Sequence, residues 1–130
     1  MRRRHSGGAP YRLAKSHGPS KKRPLSVTII GWLFIAAGTI GFAYHLKELK
    51  ADGHFDYGAG LVLLVRLLAI LSGLFLLRGS NWARWLLILW IAYHVILSTF
   101  HSLIGVATHS LLLIVIAYFL FRPRASDYFR

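Results

Sequence analysis

The stretch Tyr57-Gly-Ala-Gly-Leu-Val-Leu-Leu-Val-Arg-Leu-Leu-Ala-Ile-Leu-Ser-Gly-Leu-Phe-Leu-Leu77 carries a single charge, Arg66, in an otherwise apolar run. At 1.5 Å per residue a helix of this length reaches ~30 Å, the thickness of the hydrocarbon layer of a bilayer. Within hydrocarbon every backbone N–H and C=O must be paired inside the segment, which a helix achieves by itself. Three runs of similar length accompany it, at residues 25–46, 82–100 and 103–121. Segments this long suit helices rather than the short alternating strands of a membrane barrel. The expected fold is all-α: a polytopic membrane protein with four transmembrane helices in an up-down bundle.

The chain has 130 residues, room for one domain. Four crossings leave a basic tail at residues 1–24, three loops and a short basic tail at residues 122–130. The first tail holds Arg2, Arg3, Arg4, Arg12, Lys15, Lys21, Lys22 and Arg23 without an acid, and its Gly, Ser, His and Pro content predicts disorder. The first apolar run is too long for a signal-peptide core and ends in Ala43-Tyr-His-Leu46 without a small-x-small cleavage pattern, so it reads as a retained anchor. There is no cysteine. Disulfides, thiolate metal sites and cysteine nucleophiles are therefore excluded.

Orientation follows from the distribution of Lys and Arg, which are retained on the cytoplasmic side. With both termini cytoplasmic, the two tails and the second loop hold 13 of the 16 basic residues, and the outer loops hold Lys47 and Lys50. The second loop, Arg78-Gly-Ser-Asn-Trp-Ala-Arg-Trp85, then reads as a membrane-interface hairpin. Gly79 suits the left-handed end of one helix, and Ser80 or Asn81 suits the cap of the next. Trp82 and Trp85 fit an interfacial aromatic belt, with Arg78 and Arg84 directed at headgroups. Small residues four apart, Ala37 with Gly41 and Ala69 with Gly73, mark faces on which helices can approach.

Arg66 is the candidate functional residue. It lies nine residues into its run, ~13 Å from the outer end and close to the midplane. A cation there costs at least about 2.5–3.5 kcal/mol by insertion scales and should face the bundle interior. None of the four runs contains Asp or Glu. Counting along the third run places Tyr93 and His94 at a similar depth. Arg66, Tyr93 and His94 are thus expected to form a ligand-binding or buried polar layer, with Tyr93 or backbone carbonyls accepting from the guanidinium.

His45, His54, His101 and His109 fall toward the outer face near Glu48, Asp52 and Asp56, donor types that suit zinc, copper, nickel or iron. His94 and His101 share a helical face that would suit an axial haem ligand. No specific metal-binding spacing accompanies either group, so no metal, haem or other cofactor is expected. No Gly-x-Ser-x-Gly, phosphate-cradling loop or paired intramembrane carboxylate appears, and no enzymatic activity is expected.

The Arg23-Pro-Leu-Ser-Val-Thr-Ile-Ile-Gly-Trp32 stretch, together with Gly79-Ser-Asn-Trp-Ala-Arg-Trp85, resembles small four-helix bacterial membrane proteins that pair an Arg-Pro lead-in with an Asn-Trp-Ala-Arg turn. The resemblance spans roughly residues 23–123. It implies a bacterial inner membrane and a compact bundle, and brings no catalytic residue to transfer. A multidrug-transporter-like dimer would match the helix count but needs a membrane-embedded glutamate, which is absent.

The expected role is that of a structural or accessory membrane component interacting with lipid or a larger complex. The alternative is a small transporter or binding protein for an anionic or lipid-like ligand, using Arg66. The expected partners are the bilayer itself, anionic headgroups at the basic tail at about 1 kcal/mol per cation near the surface, and a membrane-protein partner or second copy. Nucleic acid would meet the same electrostatics, but no nucleic-acid partner is expected of so apolar a chain.

Overall fold

The computed structural model describes residues 22–51 and 57–129. The chain runs through α1 (Leu25–Ala51), α2 (Tyr57–Leu77), α3 (Asn81–Thr99), α4 (Leu103–Phe121) and the single-turn α5 (Pro123–Ser126). No strand occurs among the described residues. The four long helices are long and apolar enough to cross a membrane. At most 28% of the apolar window in any of them is buried inside the bundle. The rest faces outward, an apolar surface far larger than the few hundred Å² a water-soluble monomer exposes. Hydrocarbon is the solvent that makes this arrangement stable.

Consecutive helices pack on one another: α1 on α2, α2 on α3 and α3 on α4, while α1 and α4 meet sparsely. Val27 and Phe34 of α1, Leu76 of α2, Leu87 and Ile91 of α3 and Leu120 of α4 form the middle of the core. The tightest seam is α1 against α2, where backbones touch without intervening side chains. A Cβ at Gly73 would lie 2.7 Å from the Gly31 carbonyl oxygen, and one at Gly38 would lie 3.1 Å from the Arg66 carbonyl oxygen. With no competing hydrophobic drive in lipid, such close approach is how membrane helices gain van der Waals contact. Ala69 and Gly73 are both buried, and Gly73 lies at this seam. Ala37 does not: it is exposed, and the α1 side is built by Gly31, Gly38 and Gly41.

Two boundaries differ from expectation by more than one residue. The first helix was expected to end at Leu46, and it continues to Ala51. Its 27 residues extend ~40 Å, more than the hydrocarbon is thick. Polarity at Lys47 and Glu48 ends the apolar span but not the helix, because Lys, Glu and Leu are good helix formers. The segment after α4 was expected to be a basic tail, and residues 122–129 instead fold back on the bundle. Arg122, preceding a proline, adopts an extended backbone that stops α4 (φ −63°, ψ 151°), and Pro123 opens α5. Ala125 and Phe129 are buried in the core. The predicted disordered stretch up to Lys21, together with Asp52, His54, Asp56 and Arg130, lies outside the described residues.

Candidate functional site

The α2–α3 turn is built from a glycine and closed from outside. Gly79 has φ +80°, a conformation that L side chains rarely adopt. Its N–H donates to the Leu76 carbonyl over 3.0 Å, and the Ser80 N–H reaches back to the Phe75 carbonyl over 3.1 Å. This pair of bonds ends α2 in a Schellman motif. The expected side-chain cap of α3 is absent. Ser80 is the N-cap residue, but its hydroxyl makes no cap bond; its carbonyl accepts from the Ala83 N–H instead. Asn81, at the first position of α3, is exposed.

The arginines of this turn divide. Arg78 is exposed, with its guanidinium 5.4 Å from the Phe75 ring. Arg84 was expected to face headgroups, and it turns inward. Its guanidinium lies 4.7 Å from the Phe121 ring and 5.3 Å from the Phe129 ring, and it donates to Ser126 Oγ over 3.3 Å. The refolded segment supplies aromatic faces that hold a cation better than bulk lipid could. On the other side of the turn, Tyr128 Oη donates to the Leu77 carbonyl over 2.6 Å. Trp82 and Trp85 stay half-exposed at this end, edged by Phe75 and Phe121 respectively.

Deeper in the bundle, a polar level is assembled from all four helices. Trp90 Nε1 donates across to the Val65 carbonyl over 2.8 Å, which pins α3 beside Arg66 of α2. The His94 ring lies 3.9 Å from the Trp90 ring and 5.9 Å from the His109 ring, and Tyr93 meets His94 edge-on at 5.5 Å. Ser98 Oγ donates to the His94 carbonyl over 2.7 Å and lies 3.1 Å from His109 Nδ1, linking α3 to α4. On α1, Gly41 leaves room for Arg66. A Cβ there would be 2.8 Å from Nε and 3.0 Å from Cζ, so the guanidinium lies across the α1 backbone.

These groups border a cavity of about 210 Å³ lined by His45, Val65, Arg66, Tyr93, His94 and Leu97. The structure thus brings Arg66, Tyr93 and His94 together and adds His45. Among the described residues, however, neither Tyr93 nor any carbonyl accepts from the Arg66 guanidinium, and no carboxylate pairs with it. The expected Tyr93 or carbonyl acceptor is therefore not found.

His45, His94, His101 and His109 all direct Nδ1 at the carbonyl four residues earlier, over 2.8–3.0 Å. A carbonyl can only accept, so in the neutral ring Nδ1 carries the proton and Nε2 is the acceptor. One cation and two imidazoles therefore line a cavity that has no acid among the described residues. The histidines do not converge on a metal: among the described residues no three His, Asp or Glu side chains come together. His101 is exposed at the α3–α4 turn, and His109 lies between α3 and α4, in contact with Ser98.

Trp90 escaped the sequence reading, and His45 was expected at the outer face rather than beside Arg66. Their signal was the four-residue spacing of Gly41 with His45 and of Trp90 with His94. Comparison with known proteins finds no family model, curated protein or solved structure that matches this chain.

Proposed function

We propose that the protein is an accessory component of a bacterial inner membrane, with both termini cytoplasmic, that holds an anionic or lipid-like group at Arg66. The observation that carries this reading is a guanidinium midway along the apolar α2 that borders a cavity and has no acceptor or counter-ion among the described residues. An intramembrane charge of this kind is functional by default. Tyr93, His45 and His94 supply the polar contacts that would orient a bound headgroup or small anion. The orientation draws support from the grouping of Arg78, Arg84, Arg122 and Arg124 at one end of the bundle together with the preceding Lys22 and Arg23, which favours that end as the cytoplasmic one.

The test uses the purified full-length chain in dodecyl maltoside and dodecyl phosphate as the anionic probe. Dodecyl phosphate should raise the melting temperature of the wild type and of Arg122→Gln, and adding Arg66→Gln to the Arg122→Gln variant should abolish the shift. An equal shift in Arg122→Gln with and without Arg66→Gln removes the reading. Transport of the same anion is the runner-up; it requires flux into proteoliposomes that Arg66→Gln abolishes.

A further inference from the structure

Among the described residues three shielded side-chain polar atoms have no hydrogen-bond partner: Ser26 Oγ, Arg84 Nε and Arg122 Nε. Such atoms are rare in native structures, and each calls for a physical reason. Arg84 is enclosed by the refolded C-terminal segment, with its Nη1 donating to Ser126. Ser26 and Arg122 share a different setting. Both line one cavity of about 430 Å³ in the sparse seam between α1 and α4. Apart from these two residues the lining is apolar, with Ile29 and Ile30 on one wall and Val115, Ile116 and Phe119 on the other.

We propose that this seam seats one anionic phospholipid from the leaflet on the side of the two termini, with its phosphate on Arg122 and Ser26 and an acyl chain between α1 and α4. The polarity of the groove has the order of that molecule. At its head, Arg122 is fixed where α4 gives way to α5, and its guanidinium lies 5.4 Å from the Phe119 ring, at the cavity wall. Arg84, the exposed Arg124 and the preceding Lys22 and Arg23 make this end strongly cationic. Only two acids, Glu48 and Asp127, occur among the described residues. A guanidinium and a hydroxyl lining one cavity suit phosphate oxygens, which accept charge-assisted bonds from both.

Below the head, the seam continues past Ile116 into a second apolar cavity of about 180 Å³, bordered by Leu33, Ala37 and Leu112 and ending at His109. From Ser26 to Ala37 is ~16 Å along the helix axis, about one leaflet of hydrocarbon. A partner helix would cross both leaflets and bring no phosphate; a single acyl chain fits a groove that is one leaflet deep and polar at one end. Ala37 is exposed on this wall, so its small side chain widens the groove rather than tightening the α1–α2 seam. This site is separate from the Arg66 cavity, which opens between α1, α2 and α3.

The test is native mass spectrometry of the full-length chain released from mixed micelles with equal phosphatidylglycerol and phosphatidylcholine. Wild type should retain one phosphatidylglycerol per chain in about tenfold preference, the scale set by a shielded cation against a surface one. The double change Arg122→Gln with Ser26→Ala should bring retention down to that of phosphatidylcholine, whereas Arg124→Gln should leave it unchanged. Val115→Trp and Ile29→Trp alter exposed positions on the groove walls. They should lower retention of both lipids, and they carry the test if the Arg122 variant does not fold. Equal retention of the two lipids by wild type would overturn the proposal. So would full retention in the folded Arg122 or tryptophan variants, displacement by excess inorganic phosphate, or a protein found in place of lipid.

Discussion

The Tyr128 hydroxyl donates to the Leu77 carbonyl across 51 residues of sequence, so the segment after the last span completes the end of α2. Leu77 is nearly buried there, and its carbonyl belongs to the last turn, where no intrahelical donor remains. Tyr128→Phe should leave that carbonyl unpaired at a cost of about 1–3 kcal/mol. Thermal unfolding in detergent would show this as a melting point lowered by several degrees, and an unchanged melting point would mean the bond contributes nothing.

The glycines of α1 and α2 should respond to substitution in two different ways. Gly73→Ala drives a methyl group into the Gly31 carbonyl oxygen 2.7 Å away, backbone that cannot yield, and should destabilise by about 1–3 kcal/mol. Gly41→Ala meets only the flexible Arg66 side chain. It should melt close to wild type yet weaken the response to dodecyl phosphate, because the guanidinium is pushed out of place. Matching stability losses in the two variants would contradict this division.

Trp90→Phe keeps the ring against Phe34 but removes the donor to the Val65 carbonyl. The carbonyl retains its helical partner, so the loss should be modest, about 0.6–2 kcal/mol for an interhelical bond in a membrane. Reversible unfolding in micelles would measure it; a loss larger than that of Gly73→Ala would mean the indole has a further role.

Because the chain has no cysteine, single cysteines report topology directly. Phe100→Cys, at an exposed position in the α3–α4 turn, should react with a membrane-impermeant maleimide in intact cells. Arg124→Cys should react only after the cells are opened. The reverse pattern would invert the proposed orientation.

How far the sequence could be read depended on which interactions are local. The four spans were legible because a bilayer forces long apolar helices, whatever they pack against. Arg66 was legible because a lone cation in such a run is costly unless it finds polar company. The place of His45 beside Arg66 was not, because depth was counted on a span ending at Leu46, whereas α1 runs on to Ala51. The α1–α2 seam was half legible: four-residue spacing found Ala69 and Gly73 but chose Ala37 over Gly31, since spacing marks a face without saying which neighbour it meets. The fate of Arg84 was hidden altogether. Its partners Phe121, Ser126 and Phe129 come 37 to 45 residues later, and the proline before them announces only that α4 stops.

The position of those partners also imposes an order on biogenesis. Ser126, Tyr128 and Phe129 leave the ribosome after all four spans, so neither the Leu77 carbonyl nor the Arg84 side chain can be closed off until α4 has been threaded. The closure of the α2–α3 turn is therefore a latch that sets only after α4 has been made.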